Sequence, residues 1–287
     1  MGIEEQYARE VRNPLIDSQI EQAQRGVHRG SIKDVRGSFY QRDDDEPVLS
    51  VNTITASPGD GSDGSDLPPE YRRARGVVMH DDRDGLHSED LGGLFREEFD
   101  GHWLSTWRAV AEDDPTVSPP EEVDFDRFDR FEEAKRIVSL AAVDQAQNAS
   151  MLASMWWTDV VDYTPLANEM VFVTNVDGTR FGGQIDRLVR IDDGLPEGLY
   201  AADYKLTHEI QNSHYQQVEA FRRAFWPDMG PIDGLILRVD PIKREVESVS
   251  THDEEWPDDA WDEFRVNARE EYGRDLIRLR MRQSVWH

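Results

Sequence analysis

After Pro165 the hydrophobic period of the chain changes from the helical repeat to two, and this change constrains the fold more than any other feature. Residues 169–174, 179–191 and 199–207 alternate apolar and polar side chains as three strands. They are parted by Asp177-Gly178 and by the turn-rich run from Asp192 to Gly198. A two-residue Asp-Gly loop closes a tight hairpin, so the three segments are expected to form an antiparallel meander. A helix over about 209–225, ended by Pro227, follows, and strands over 234–239 and 245–249 extend the sheet. The expected fold is α/β with α+β character: a central mixed sheet, carrying an antiparallel meander and flanked by helices.

Upstream of Pro165 helical periodicity dominates. Phe95, Phe99, Trp103 and Trp107 recur four apart, and residues 124–162 carry Phe125, Phe128, Phe131, Ile137, Leu140 and Val143, then Met151, Met155 and Trp156. This aromatic and methionine stripe is expected to be core. Residues 48–54 read as a strand and 69–78 as a helix leading to His80, with Gly-rich acidic loops over 57–65 and 85–93. A closing helix over about 257–282 should bury Trp261, Phe264, Ala268, Tyr272, Leu276 and Leu279. The first ~45 residues are polar and end in Asp43-Asp44-Asp45-Glu46, a short helix in a loosely held arm. With 287 residues, 38% of them hydrophobic, the chain can bury a real core. The organisation expected is an arm over 1–45 and a single domain over 46–287, with a helical insertion at about 94–162 and the C-terminal helix.

The formal net charge is -27, from 59 acidic against 32 basic residues, and the acidic residues are spread along the whole chain. Arginine dominates the basic set. This pattern reads as adaptation to very high salt, a halophilic source, where self-repulsion is screened. Such a surface repels nucleic acid at low ionic strength. At 1 M salt the Debye length is roughly 3 Å, so local arginines and metal bridging must carry any phosphate binding. Candidate clusters are Arg72, Arg73 and Arg75; Arg222 and Arg223; and Arg274, Arg278, Arg280 and Arg282. The chain has no cysteine, which excludes a thiolate iron-sulfur cluster, a zinc-cysteine site, a cysteine nucleophile and disulfides. It holds no apolar stretch near the length of about 18 residues that a membrane span needs. The opening Ile3-Glu4-Glu5-Gln6 is charged, with no apolar run after it. A soluble, cytoplasmic protein without membrane contact is expected.

The same meander carries the candidate chemistry. In Asp203-Tyr204-Lys205 the i, i+2 spacing sends the carboxylate and the ammonium to one side of the strand and Tyr204 to the other. Asp186, in the segment Gly182-Gly183-Gln184-Ile185-Asp186 of the neighbouring strand, adds a second carboxylate. Oxygen ligands for a hard divalent ion beside a cationic group are what phosphodiester hydrolysis needs. With the Asp177-Gly178 loop, Glu169 falls opposite Asp186, and opposed like charges destabilise a sheet unless a cation lies between them. On the helix that follows, Ile210, His214, Gln217, Phe221 and Phe225 share one face, so Gln217 is an amide on a core-facing stripe and requires partners.

Six segments in order resemble the RecB-like branch of the PD-(D/E)XK nuclease superfamily, in particular its phage-type and virus-type exonucleases. They are Ser50-Val51-Asn52-Thr53-Ile54, Arg75-Gly76-Val77-Val78-Met79-His80, Glu169, Gly183-Gln184-Ile185-Asp186, Asp203-Tyr204-Lys205 and Gln217-Val218-Glu219-Ala220-Phe221. The resemblance spans about residues 50 to 225. It departs at Asn52, where threonine is usual, and at Phe221, where tyrosine is usual. The resemblance implies a restriction-endonuclease-like core and a Mg or Mn ion held by Asp186 and Asp203, with His80 and Glu169. It makes Lys205 the catalytic lysine and gives Gln217 the task of orienting the site or contacting DNA. The implied activity is a metal-dependent deoxyribonuclease acting on single strands or duplex ends in replication, recombination or repair, as a homo-oligomer or with a partner of those processes. The alternative is a non-catalytic DNA-binding or assembly protein that keeps the fold; the intact Asp, Asp, Lys trio argues against it. A CRISPR-adaptation nuclease is a third reading, whose relatives typically carry the cysteine-held cluster that this chain lacks.

Overall fold

In the computed structural model, residues 14–31, 38–43, 45–55, 67–82, 88–123 and 129–282 are described. Five strands form the central sheet in sequence order: β4 (Asp162–Val176), β5 (Thr179–Asp193), β6 (Gly198–Lys205), β7 (Ile232–Asp240) and β8 (Glu245–Ser250). β4, β5 and β6 are the expected antiparallel meander, and β7–β8 is antiparallel too. β6 and β7 run parallel, joined by helix α7 (Asn212–Met229), as a parallel pair demands a crossover. The sheet is therefore mixed. Its first hairpin turns at Asp177 (φ 50) and Gly178 (φ 80), with Val176 paired to Thr179, the left-handed two-residue loop that suits strand twist.

A second, three-stranded sheet in the order β1 (Val27–Ser31), β2 (Ser38–Arg42) and β3 (Val48–Leu49) follows helix α1 (Pro14–Gln24). Much of the expected loose arm is thus ordered secondary structure. The expected strand over 48–54 divides in two: β3 stops at Leu49, and helix α2 (Val51–Thr55) begins. The β-branched run reads as strand locally, but the Ser50 hydroxyl accepts from the Thr53 amide at 3.0 Å and caps the helix. A parallel bridge between Ser50 and Gly182 ties this junction to β5.

Helices α4 (Ser88–Glu98), α5 (Trp103–Asp113) and α6 (Arg130–Asp159) occupy the region of the insertion expected at about 94–162, and α3 (Pro69–Asp82), the helix expected over 69–78, packs with them. α4 occupies the latter half of the expected Gly-rich loop over 85–93. Phe125 and Phe128 lie outside the described residues. The stripe expected as core on α6 divides: Val143 and Trp156 are buried, but Phe131, Leu140, Met151 and Met155 are each about half exposed. What α6 buries is an alanine-rich face, Ala134, Ala142, Ala146, Ala149 and Ala153 with Val138 and Trp157. Small side chains let a 30-residue helix lie close to α3, and the larger apolar residues are left on its outer side. α7 runs through Pro227 instead of stopping before it, ending beside Gly230 at φ +83; a proline in the last turn removes one hydrogen bond without breaking the helix. Helix α8 (Ala260–Arg282) buries Trp261, Phe264 and Ala268 as expected; the side chains of Leu276 and Leu279 lie outside the described residues.

The two faces of the sheet serve separate cores. Val189, Ile191, Tyr200, Ala202, Tyr204, Leu235 and Leu237 pack with the α3–α6 insertion. Ile185, Leu188, Ala201 and Ile236 pack with α2, α7 and α8. Polar links join the insertion to the end of β6. Arg75, buried, donates to Gln145 Oε1 at 2.7 Å and to the Leu206 carbonyl at 3.2 Å, while Gln145 Nε2 donates to Asp114 at 2.9 Å. This member of the first arginine cluster is a brace. Arg222 and Arg223, of the second, are paired with the buried Glu219; the side chains of the third cluster lie outside the described residues.

His208 makes a similar link, with Nδ1 at 2.8 Å from Asp240 at the end of β7 and Nε2 at 3.1 Å from Asp113 at the end of α5. Burial pushes its pKa down, but the two carboxylates outweigh this and leave it raised. A raised folded-state pKa contributes stability that is complete below the ordinary histidine value of about 6.5 and lost as pH rises through the folded value. Melting of wild type and His208→Gln across pH should therefore show the wild-type advantage full near pH 6 and shrinking as the solution becomes alkaline. An advantage that grows with pH contradicts the ion-pair account.

Candidate active site

The β5–β6 ladder ends at the pair Arg187–Ala202. One step further in the same register, Asp186 stands opposite Asp203. There the Asp186 carboxylate Oδ2 accepts the Tyr204 amide at 2.8 Å, a side chain taking up a backbone donor at the point where the ladder ends. Both aspartates are buried, at 7% and 5% exposure. Across the other edge of β5, the pairs Asn168–Arg187 and Met170–Ile185 flank Glu169 and set it opposite Asp186, as the hairpin loop implied. Glu169 has a left-handed backbone, φ 50, a conformation that costs a non-glycine residue about 1–2 kcal/mol. Beside it β5 rolls over: Ile185 and Leu188 face one core, Val189 and Ile191 the other. Three carboxylates thus form a row on three adjacent strands, at an irregularity in two of them.

Lys205 lies on the Asp203 side of β6, its ammonium 2.5 Å from Asp203 Oδ2. It donates to Gln217 Oε1 at 2.6 Å, and Gln217 Nε2 donates to Thr55 Oγ1 at 2.9 Å. Tyr204, between them in sequence, points into the opposite core, where Trp157 Nε1 donates to its hydroxyl at 2.5 Å. His214, one turn before Gln217, is also buried. Burial, and then the charge of Lys205, hold its pKa down to about 3, so at neutral pH the imidazole is uncharged.

A cleft of about 430 Å3 opens beside this row, lined by Glu169, Gln184 and Asp186 on one side and by Asn52, Arg73 and Arg29 among the rest. Arg29, on β1, donates to Gln184 Oε1 at 3.4 Å, and Gln184 Nε2 donates in turn to Glu169. Sequence reasoning missed Arg29 and Thr55. Arg29 lies in what reads as an arm, and Thr55 directly after what reads as a strand over 48–54; a Ser50 cap signal was the clue available for the second.

Of the six expected site residues, Glu169, Asp186, Asp203, Lys205 and Gln217 gather at this place. His80 lies on α3, and its side chain falls outside the described residues. Among the described residues, no group of three or more His, Asp or Glu side chains stands so that it could hold a metal ion. The pair Asp186 and Asp203, two buried carboxylates next to one ammonium, has the donor chemistry that suits a hard divalent cation.

No family model and no curated protein matches this sequence. Among solved structures, the chain is similar to the crystal structure of SSO0001, with a TM-score of 0.29 and 14% identity over 62% of this chain and 84% of that one. A similarity at that level carries no argument about the site. No helix among the described residues is long and apolar enough to cross a membrane.

Gly182 is where the small sheet meets β5. A Cβ added there would lie 2.6 Å from Tyr40 Cβ and 3.0 Å from the Phe172 carbonyl oxygen, so the close approach of β2 requires glycine. Gly182→Ala should therefore destabilise the protein by about 1–3 kcal/mol in denaturant titration. An unchanged midpoint contradicts this packing.

Proposed function

We propose that the protein is a divalent-metal-dependent nuclease that hydrolyses the phosphodiester bonds of DNA. The observation that carries the proposal is the Lys205 ammonium, fixed between Asp203 and Gln217, beside a row of carboxylates on three strands. Asp186 and Asp203, with Glu169, are the residues that would hold Mg2+ or Mn2+. Such an ion, when bound, polarises the phosphate and lowers the pKa of a water.

The remaining tasks fall to the chain's own groups. Lys205, fixed by two acceptors, offsets negative charge that develops on the phosphate in the transition state, without reorganising at the moment of reaction. Gln217 holds that ammonium through its carbonyl oxygen. Arg29 and Arg73 line the cleft and bring guanidinium groups to it against an overall charge of -27, Arg73 also pairing with Asp100. Ion pairs and hydrogen bonds at such short range persist where salt has screened long-range steering. What supports the restriction-endonuclease-like reading is the arrangement: three antiparallel strands, then a helix crossing to a parallel strand, with Glu169 and Asp186 at mid-strand in β4 and β5 and Asp203 near the end of β6. Action on single strands or duplex ends, in replication, recombination or repair, is part of the same proposal, as is a soluble cytoplasmic location.

The test is cleavage of linear single- and double-stranded DNA in concentrated salt with Mg2+ or Mn2+. Lys205→Ala should lower kcat by about 10²–10³-fold while leaving DNA affinity and melting temperature close to wild type. Wild type that cleaves nothing with either metal, yet binds DNA as well as Asp203→Ala does, would favour the non-catalytic reading.

A further inference from the structure

The Lys205 ammonium has two acceptors, the Asp203 carboxylate and the Gln217 amide oxygen. A carboxylate accepts whichever way it turns. A side-chain amide does not: turned over about its last bond, Gln217 would present its NH2 group to the ammonium, donor against donor. The group that decides between the two orientations lies on the far side of Gln217.

There, Gln217 Nε2 donates to Thr55 Oγ1 at 2.9 Å. The Thr55 hydroxyl in turn donates to the Val51 carbonyl at 3.1 Å, one turn back in α2. With its single proton committed to that carbonyl, Oγ1 offers Gln217 only lone pairs. The NH2 end of the amide must then face Thr55, and the carbonyl end must face Lys205. Thr55 is 1% exposed, so bulk water does not take its place, and an amide turned the wrong way would leave buried groups mispaired. The hydroxyl's own position is secured. Ser50 caps α2, the Ser50–Gly182 bridge anchors the cap to β5, and Val51 and Ile54 are buried beside it.

We propose that Thr55 is a positioning residue of the site: its hydroxyl sets the orientation of the Gln217 amide, and through it the place of the Lys205 ammonium. The proposal rests on the hydrolytic role given to Lys205. It adds a residue of α2 to the groups of β4, β5, β6 and α7 that surround the Lys205 ammonium. It also gives α2 a task that a strand could not perform, because only the helical back-bond to Val51 commits the hydroxyl proton.

Thr55→Val keeps the shape and removes the hydroxyl. It should lower kcat by about ten- to a hundredfold with KM within about twofold, and Thr55→Ser should recover most of the loss. In a Gln217→Ala background, Thr55→Val should add no further loss, since the two act as one unit. A merely structural threonine gives additive losses in that cycle and a KM that moves with kcat, and either result overturns the proposal. A second readout does not depend on turnover: the rate at which Lys205 is acylated in the metal-free protein, followed by peptide mass spectrometry. It should rise severalfold in Thr55→Val and Gln217→Ala and stay at the wild-type level in Thr55→Ser; an unchanged rate in Thr55→Val overturns the proposal. If Thr55→Val melts early, Thr55→Ala serves for both readouts. A wild type that cleaves no DNA, with the acylation change present, defeats the hydrolytic reading and leaves the positioning claim supported.

Discussion

Where β5 and β6 stop pairing, the Asp186 carboxylate takes the Tyr204 amide, and the rest of the site is arranged around that substitution. A continuing ladder would satisfy this donor with a backbone carbonyl. A carboxylate there brings negative charge into a buried position, which is unfavourable unless hydrogen bonds and opposite charge answer it. The Tyr204 amide answers part of it at Asp186, and the Lys205 ammonium answers part at Asp203. The irregular backbone of Glu169 and the roll of β5 belong to the same place. Strain at a cluster of acidic side chains is the pattern expected where pre-organisation for chemistry outweighs stability.

The end of β6 is then braced from both faces. On one, Trp157 holds Tyr204, Arg75 holds the Leu206 carbonyl, and His208 joins Asp240 to Asp113. On the other, Gln217 of α7 and Thr55 of α2 hold Lys205. The helical insertion and the N-terminal segments, far from the meander in sequence, therefore converge on Tyr204 and Lys205 at the end of β6 and on Leu206 directly after it. A rigid strand end with fixed side chains is what a site needs if its groups are to act without rearrangement.

Much of this was legible in the sequence because period two and an Asp-Gly loop are local signals with a physical cause. The Asp177-Gly178 turn sets the register, and the register sets Glu169 opposite Asp186. The order of β6, α7 and β7 followed from the same patterning. What misled was apolar character without its context. Val51, Thr53 and Ile54 are β-branched and read as strand, but one serine cap turned them into a helix that runs on to Thr55. Met151 and Met155 read as core, yet alanines do the packing on α6. Arg29 was hidden for a different reason: its nearness to Gln184 comes from the docking of a small sheet on Gly182, a contact between distant segments that no local pattern encodes.

Under the proposed nuclease function, a chain of charge -27 needs its affinity for a polyanion at the site itself, not across its surface. A divalent ion between the aspartates would supply it, so the central claim is the binding of that ion. The most direct measurement is Mn2+ binding by electron paramagnetic resonance in concentrated salt, for wild type, Asp186→Asn and Asp203→Asn. The account predicts saturable binding by wild type, weakened by at least about tenfold in each variant, with both variants folded. Binding by wild type no tighter than by the two variants would contradict it.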